Sequence, residues 1–176
     1  HNITMIKTNP ANNEFTILIG NDGGVAYSID EGKKWVECDR NGYNTSQFYG
    51  CDKKPGADEY IGGTQDNGTW ITKEGETAGK LSKYRAVIGG DGFEAVWNIK
   101  DPNKIIGSSQ YNTIRRSIDG GKTWDYGSNG MTDGYNTGGP FVTKLAKSSI
   151  DPELLFAVGK SGVWRSENFA ESWKLI

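Results

Sequence analysis

Hydrophobic residues along this chain occur in short runs, and turn-forming residues separate one run from the next. The first such runs are Ile3–Lys7, Phe15–Ile19, Val25–Ile29 and Trp35–Cys38. They are rich in Val, Ile, Phe, Tyr and Trp, and Gly, Asn and Asp lie between them, which is typical of β-strands joined by tight turns. Ala78–Arg85 is the one segment compatible with a short helical turn. The pattern predicts an all-β protein.

One eight-residue segment of this pattern recurs along the chain. Ser28–Trp35 (SIDEGKKW) returns as Ser117–Trp124 (SIDGGKTW), a weaker copy is Ser166–Trp173 (SENFAESW), and a degraded copy begins at Thr72. The copies begin at residues 28, 72, 117 and 166, which are 44, 45 and 49 residues apart. Four of the five prolines keep nearly the same period: Pro10, Pro55, Pro102 and Pro152. Two independent markers with one period predict four repeated units.

Each repeat contains short strands in the same order. The predicted strands after the first repeat are Gln47–Asp52, Tyr60–Thr64, Thr69–Thr72, Phe93–Ile99, Lys104–Ser108, Ile114–Ile118, Trp124–Tyr126, Phe141–Ala146, Leu154–Val158, Val163–Ser166 and Trp173–Ile176. Four strands per repeat of this length are typical of β-propeller blades. We therefore predict one partial β-propeller domain over 1-176, with about four blades near 1-42, 43-88, 89-137 and 138-176.

The repeated segment Ser-x-Asp-x-Gly-x-x-Trp predicts its own local structure. Its Asp carboxylate can accept backbone N–H bonds in a turn between the third and fourth strands, and its Gly can supply a positive φ. Its Trp then opens the outer strand and buries its ring. We interpret the segment as structural, which covers Ser28, Asp30, Gly32, Trp35, Ser117, Asp119, Gly121, Trp124, Ser166 and Trp173.

Composition narrows the classes of function. The chain has 25 Gly among 176 residues, an excess that fits many tight turns, and 20 basic against 22 acidic residues, a net charge of −2. Without a basic block, nothing points to nucleic acid, and no apolar run is long enough for membrane insertion. With one His, we expect no metal site and no cofactor. Cys38 and Cys51 fit either a disulfide or two thiols.

The repeated segment resembles a known motif. Ser28–Trp35 and Ser117–Trp124 are similar to the Asp-box, or bacterial neuraminidase (BNR) repeat, of sialidases, xyloglucanase-like glycoside hydrolases and sortilin-like receptor propellers. Gln47–Tyr49, Gly62–Gly68 and Gly89–Phe93 resemble a group of secreted bacterial Asp-box propellers. The resemblance implies an extracellular or periplasmic protein. It says little about function, because the repeat occurs in enzymes and receptors alike.

Two enzyme classes in that family can be compared with this chain. Sialidases use three arginines and an Arg-Ile-Pro signature, which is absent here, so we expect no sialidase activity. Xyloglucanase-like enzymes use two aspartates, and Gly90–Phe93 is similar to, but shorter than, the stretch that carries one of them. The resemblance implies Asp91 as a candidate catalytic residue. Inverting hydrolysis needs a second carboxyl group at about 6.5–9.5 Å, and the sequence identifies none.

The strand order also predicts where a ligand would bind. Turns between the second and third strands, together with the connections between blades, lie at the end opposite the Asp-boxes. Amides, carboxylates and aromatic rings suit a sugar, although Gln65 to Asn67 also fit a tight turn before Gly68. Asp91 fits a turn cap, a functional carboxylate or part of a cation site. The candidate ligand-binding residues are Gln47, Gln65, Asp66, Asn67, Tyr111, Asn112 and Tyr135.

These observations predict a secreted Asp-box β-propeller that binds a polysaccharide or an extracellular protein on the face opposite the Asp-boxes. The alternative is a xyloglucanase-like glycoside hydrolase acting on a β-glucan, with acidic residues as acid and base. Four blades are few for an Asp-box propeller. Three explanations remain open: part of a larger propeller whose remaining blades complete it, a ring completed by a second copy, and a four-bladed ring.

Overall fold

Every strand in the structure runs antiparallel to its neighbours in the sheet. The computed structural model describes residues 2–9, 14–21, 24–38, 46–79 and 82–176. They divide into two compact units, His1–Gln47 and Phe48–Ile176. Across the described ranges, no helix combines the length and the apolar character that crossing a bilayer requires.

The first unit is one four-stranded sheet in the order β1-β2-β3-β4. Its strands are β1 (Asn2–Asn9), β2 (Glu14–Asn21), β3 (Gly24–Ser28) and β4 (Val36–Glu37). Ile3 lies opposite Ile19, and Ile17 lies opposite Ser28, so each strand pairs with the next along the chain. Pro10 lies outside the described residues.

The second unit contains three further sheets with the same strand order. The second sheet consists of β5 (Phe48–Lys53), β6 (Tyr60–Thr64), β7 (Gly68–Thr72) and β8 (Tyr84–Ile88). The third consists of β9 (Ala95–Trp97), β10 (Ile105–Ser109), β11 (Thr113–Ser117) and β12 (Asp125–Tyr126). The fourth consists of β13 (Leu145–Lys147), β14 (Leu155–Val158), β15 (Val163–Ser166) and β16 (Lys174–Leu175). The prediction of an all-β chain is confirmed.

Strand β8 is the main difference from the predicted strands. Ala78–Arg85 was the segment compatible with a helical turn, but β8 begins at Tyr84, inside that segment. Tyr84 and Arg85 pair with Thr72 and Ile71 of β7. Pairing with β7 supplies the hydrogen bonds that a local helical turn would otherwise make, and this partner lies outside the segment. Residues 80 and 81 lie outside the described residues.

Two first strands also begin later than predicted. Phe93 precedes β9 and donates its N–H to the Ser108 carbonyl at 3.0 Å. Phe141 precedes β13, and its carbonyl accepts the Tyr111 N–H at 3.3 Å. Each residue therefore makes a single backbone hydrogen bond instead of joining the strand ladder, and Phe141 lies in a bend.

The core of the second unit consists of two hydrophobic clusters, one on each face of the third sheet. Ile61 and Ile71 of the second sheet pack with Trp97 and Ile105 of the third. The opposite cluster joins the third and fourth sheets through Val96, Ile106, Ile114, Leu155, Ala157, Trp164, Phe169, Ala170 and Trp173. Ile105 and Ile106 enter different clusters because successive strand residues face opposite sides of a sheet. The third sheet is thereby held between its neighbours.

Two glycines allow the second sheet to approach the segment before β9. A Cβ at Gly63 would overlap the backbone of Phe93, and a Cβ at Gly92 would overlap the carbonyl of Gly68. Neither glycine has a positive φ, so the requirement is for space between two backbones rather than for an unusual backbone conformation. This close approach positions Asp91 against the β6–β7 turn.

Candidate functional site

The repeated turns between third and fourth strands are closed by their own side chains. In the third sheet, the Ser117 hydroxyl donates to Asp119 Oδ1 at 2.8 Å and accepts the Gly121 N–H at 2.9 Å. Asp119 also accepts the N–H groups of Lys122 and Thr123, at 3.0 and 2.9 Å. The Thr123 hydroxyl donates a further hydrogen bond to Asp119 Oδ2. Together these bonds, and that of the Thr123 hydroxyl most of all, hold the pKa of Asp119 far below its usual range. Ser28, Asp30 and Gly32 repeat the arrangement in the first sheet.

The fourth sheet makes the same turn with different residues. Ser166 donates to Asn168 Oδ1 at 3.0 Å, and Asn168 Oδ1 accepts the Ser172 N–H at 2.9 Å, so the Asn amide oxygen takes the place of a carboxylate. Phe169 and Ala170 have φ of 49° and 62°, at positions that are Glu31 and Gly32 in the first sheet and Gly120 and Gly121 in the third, all with positive φ. The turn depends on the acceptor oxygen and the backbone path more than on the charge.

The second sheet departs further. The Thr72 hydroxyl donates to the Tyr60 carbonyl, and the Gly75 N–H is accepted by Glu59 from outside the turn, at 3.2 Å. Burial of the Trp also varies, since Trp173 is 3% exposed but Trp35 is 41% exposed. Trp124 is half-buried. Local hydrogen bonding thus accounts for the repeated segment in the first, third and fourth sheets. The expected burial of its Trp holds fully at Trp173.

The opposite ends of the strands in the second unit carry the candidate ligand residues. The β6–β7 turn contains Gln65, Asp66 and Asn67, and the β10–β11 turn contains Gln110 to Asn112. Asp66 and Tyr111 have φ of 60° and 59°, so equivalent positions of the two turns share a left-handed backbone. Ser117 is the last residue of β11 and Asn112 directly precedes its first, so this turn and the Ser117–Trp124 turn lie at opposite ends of the strand.

Asp91 connects these two turns. Its Oδ1 accepts the Asp66 N–H at 2.7 Å, and its Oδ2 accepts a hydrogen bond from Gln110 Nε2. The residue is 9% exposed. Both carboxylate oxygens are therefore engaged in joining the second sheet to the third, which is the behaviour of a turn cap. The catalytic role that the family resemblance implies for Asp91 stays a prediction.

Five aromatic rings form a continuous series beside this connection, which we call the aromatic row. Neighbouring ring centroids lie 5.0, 5.7, 5.5 and 4.8 Å apart, all edge to face. In order, the rings are Tyr49, Phe93, Phe141, Tyr111 and Tyr135. Phe93 is 1% exposed, whereas Phe141 and Tyr135 are 51% and 72% exposed. The row therefore runs from the core to the surface.

The structure brings most of the predicted ligand residues to this row. Tyr111 and Tyr135 belong to it, and the Tyr49 hydroxyl donates to Gln65 Oε1 at 2.8 Å. Asp66 and Asn67 are exposed in the adjoining turn. Tyr49, Phe93, Phe141 and Gln110 were missing from the predicted set. Tyr49 and the two phenylalanines were assigned to strands, and the contact of Gln110 with Asp91 spans 19 residues.

Two predicted ligand residues are placed differently. Asn112 is 2% exposed, donates its N–H to the Thr143 hydroxyl at 2.9 Å and its amide to the Val158 carbonyl at 3.1 Å. These bonds direct it into the contact between the third and fourth sheets rather than to the surface. Gln47 is exposed and is the last residue of the first unit, whereas the other candidates belong to the second.

A second buried aspartate makes a connection similar to that of Asp91. Asp133 is 4% exposed and accepts the Ser161 N–H at 2.9 Å, the Ser161 hydroxyl at 2.7 Å and the Trp164 indole N–H at 2.9 Å. These bonds, first the Ser161 backbone N–H, lower the pKa of Asp133 despite its burial. Sequence inspection placed it only within a connecting loop, since its partners are 28 or more residues away.

No group of three or more His, Cys, Asp or Glu side chains within the described ranges could hold a metal ion. Cys38 belongs to the first unit and Cys51 to the second, and both are free thiols. The chemistry available at the row is therefore that of amides, carboxylates and aromatic faces.

Comparison with known proteins identifies the fold. No protein-family model matches the chain, and no curated protein matches its sequence. An ancestral GH74 enzyme superposes with a TM-score of 0.58 at 16% identity, covering 92% of this chain and 22% of that enzyme. YCF48 from Cyanidioschyzon merolae superposes with a TM-score of 0.51 at 11% identity, covering 93% of this chain and 50% of YCF48.

The four meander sheets together with these likenesses decide the fold class. The fold is that of a partial β-propeller. This chain spans about a fifth of the GH74 enzyme and half of YCF48. At such low identity the likeness establishes the fold alone, because one fold supports many functions.

Proposed function

We propose that this protein is a secreted Asp-box β-propeller that binds carbohydrate at the exposed end of the aromatic row. The observation that carries the proposal is the row itself, which ends in Tyr135 at 72% exposure and Phe141 at 51% exposure. Large exposed rings that are held by neighbouring rings form a rigid surface on which the C–H face of a sugar can stack. Such a surface loses little side-chain entropy on binding.

Polar groups beside the row would supply the orientation that stacking lacks. Gln65 is held by the Tyr49 hydroxyl, and Gln110 is held by Asp91. An amide offers both donors and acceptors, so it can pair with sugar hydroxyls, which also act as both. Fixed amides beside exposed rings are the combination that sugar recognition requires.

The Asp-box identity and the location are parts of the same proposal. The near-identical bonds of Ser28 with Asp30 and of Ser117 with Asp119 support membership of the Asp-box class. The secreted location follows from the resemblance of the sequence to secreted propellers. Fractionation of the source cells, with recovery in the periplasm or medium expected, tests the location.

Binding is tested by screening the protein against a glycan array and measuring the best ligand by calorimetry. Tyr135→Ala removes the exposed ring of the row, and we expect it to weaken binding at least tenfold, about 1.4 kcal/mol. Tyr126→Ala is the matched control, since Tyr126 is 55% exposed but lies on β12, away from the row. The control should bind as the wild type does. Equal losses in both variants, or no glycan bound, would overturn the proposal.

The same ligand distinguishes binding from hydrolysis. A binding protein releases no reducing ends from a bound β-glucan or other glycan. Release by the wild type that is lost in Asp91→Asn would replace the proposal with the glycoside hydrolase alternative. Binding of an extracellular protein that depends on Tyr135, without binding of any glycan, would instead identify the row as a protein-binding surface.

A further inference from the structure

A cavity of about 690 Å³ lies between the second and third sheets, at the end of the strands that carries the Ser117–Trp124 turn. Its walls include Lys73, which follows β7, Arg85 in β8, and Lys122 in the Ser117–Trp124 turn. Its volume is in the range of pockets that hold small molecules. The aromatic row and Asp91 are not among its lining residues.

The charges around this cavity are unbalanced. Five cationic side chains line it, namely Lys54, Lys73, Lys83, Arg85 and Lys122, against two carboxylates, Glu59 and Glu74. The lining therefore carries a surplus of three positive charges (5 − 2), although the whole protein has a net charge of −2. We call it the basic cavity. Its surplus is local and does not reflect a generally basic protein.

Internal ion pairs neutralise only part of that surplus. Lys54 and Glu59 form a largely buried pair at 3.0 Å. Lys73 pairs with Glu76 at 2.6 Å, and this bond raises the pKa of Lys73. Lys122 is 3.9 Å from Glu74, and both side chains are more than two-thirds exposed, so this pair is weak.

Lys83 and Arg85 keep uncompensated charges. In the part of the chain that the structure describes, neither has a carboxylate within ion-pair distance. Arg85 Nη2 donates to the Gly121 carbonyl at 2.8 Å, which anchors the guanidinium to the turn of the third sheet. A guanidinium has five N–H donors, so this bond leaves donors for a ligand while it limits the motion of the side chain.

We propose that the basic cavity binds a small ligand carrying two or more oxyanion groups, whether sulfate, phosphate or carboxylate. An oxyanion suits the planar fork of Arg85, which can donate two parallel hydrogen bonds. A second oxyanion would pair with Lys83 and Lys122, which line the same cavity. The site is separate from the aromatic row, so it does not depend on the carbohydrate proposal.

Calorimetric titration of the whole chain with three probes tests the proposal and distinguishes the sources of the anion. The probes are inorganic pyrophosphate, a sulfated disaccharide and a galacturonate trimer. We expect at least one probe to bind in dilute buffer and to weaken as sodium chloride is raised, because partly exposed charges are screened. The probe that binds most tightly identifies the anionic group.

Single substitutions locate the binding. Lys83→Gln and Arg85→Gln should each weaken the best probe at least tenfold. Lys174→Gln is the matched control, because Lys174 is exposed on β16 and its substitution makes the same change in net charge. Among the described residues Lys83 forms no ion pair that could be lost, so Lys83→Gln remains informative even where Arg85→Gln perturbs folding. Absence of binding by all three probes, or an equal loss in Lys174→Gln, would overturn the proposal.

Discussion

Asp119 and Asn168 occupy equivalent positions in two turns with nearly the same hydrogen bonds. Each accepts from a serine two residues earlier, and each accepts a backbone N–H four residues later at 2.9 Å. They differ in charge, since only Asp119 titrates. The pair therefore separates the contribution of geometry to the turn from the contribution of charge.

The pH dependence of stability should follow that difference. The folded pKa of Asp119 lies below its ordinary value, so its carboxylate stabilises the fold above about pH 4 and loses this contribution as the pH falls toward the folded pKa. Asp119→Asn should lower the unfolding midpoint at pH 7 and lower it less at pH 2.5, measured by thermal circular dichroism. Asn168→Asp should raise the unfolding midpoint above that of the wild type at pH 7, and by less at pH 2.5. An Asp119→Asn effect that is equal at both pH values would contradict this prediction.

Asp133 is a buried residue with hydrogen bonds to both of its carboxylate oxygens. Asp133 Oδ2 accepts from the Ser161 and Trp164 N–H groups, and its Oδ1 accepts from the Ser161 hydroxyl. Asp133→Asn replaces these charge-assisted hydrogen bonds with weaker bonds to a neutral amide, whose N–H2 only the Ser161 hydroxyl can accept. We expect a loss of about 1–3 kcal/mol in the free energy of unfolding, measured in urea. Asp125→Asn, at an exposed position on β12, is the control and should change it by less than about 0.5 kcal/mol. Comparable effects of the two substitutions would argue against the buried connection.

At the scale of elements, the contact between the second and third sheets requires glycines, because their backbones approach too closely for side chains to fit between them. The β6–β7 hairpin and the segment before β9 approach at Gly63 and Gly92, with no room for a Cβ at either. This contact also sets the distance between Asp91 and the Asp66 N–H. A change in the contact should therefore reach the candidate site.

Gly63→Ala tests that contact. The added methyl group would force the two backbones apart, and overpacking of this kind costs about 1–3 kcal/mol. Gly89→Ala is the control in the same region, because it has no positive φ and nothing lies within 4 Å of its Cβ position. Urea unfolding should show destabilisation by the first substitution and little change, or slight stabilisation, by the second. Equal stability of the two variants would mean that the backbones can separate without cost.

Element boundaries show the limits of local patterns. The predicted β6 coincides with the observed Tyr60–Thr64, because Tyr and Ile favour strands and turn-forming residues flank the segment on both sides. Strand β8 was missed because its register depends on β7 and includes an irregularity between Thr69 and Trp70. Where a strand is specified by its partner, the local sequence does not distinguish it from a turn.

At the scale of the molecule, both hydrophobic clusters lie entirely within residues 48–176. Lys147 of the fourth sheet reaches Asp52 of the second, and Asp52 accepts the Trp97 N–H of the third at 2.7 Å, so one chain of bonds joins all three sheets. Residues 48–176 also contain the aromatic row and the lining of the basic cavity. The second unit thus has a core and connections of its own.

A chain of residues 48–176 should therefore fold without residues 1–47. We expect a β-rich circular dichroism spectrum and one cooperative thermal transition, since a core of this kind unfolds as a unit. The same chain with Trp173→Ala is the control, because Trp173 is 3% exposed in the core and its loss costs about 3–5 kcal/mol. A transition that is broad in the unsubstituted chain, or absent, would show that the first unit is needed for folding.

The sequence by itself determined the strand order, the period of the repeat and the turns that close it. Each turn depends on residues within the eight-residue segment, such as Ser117, Asp119 and Gly121, so its hydrogen bonds are implied by their spacing. The period follows from comparing copies of that segment along the chain. Only the tertiary structure decided which side chains meet. Tyr49, Phe93 and Tyr135 belong to different elements, and Lys54 and Lys122 are far apart in the chain. Contacts between sheets are set by packing across the core, which no local pattern records.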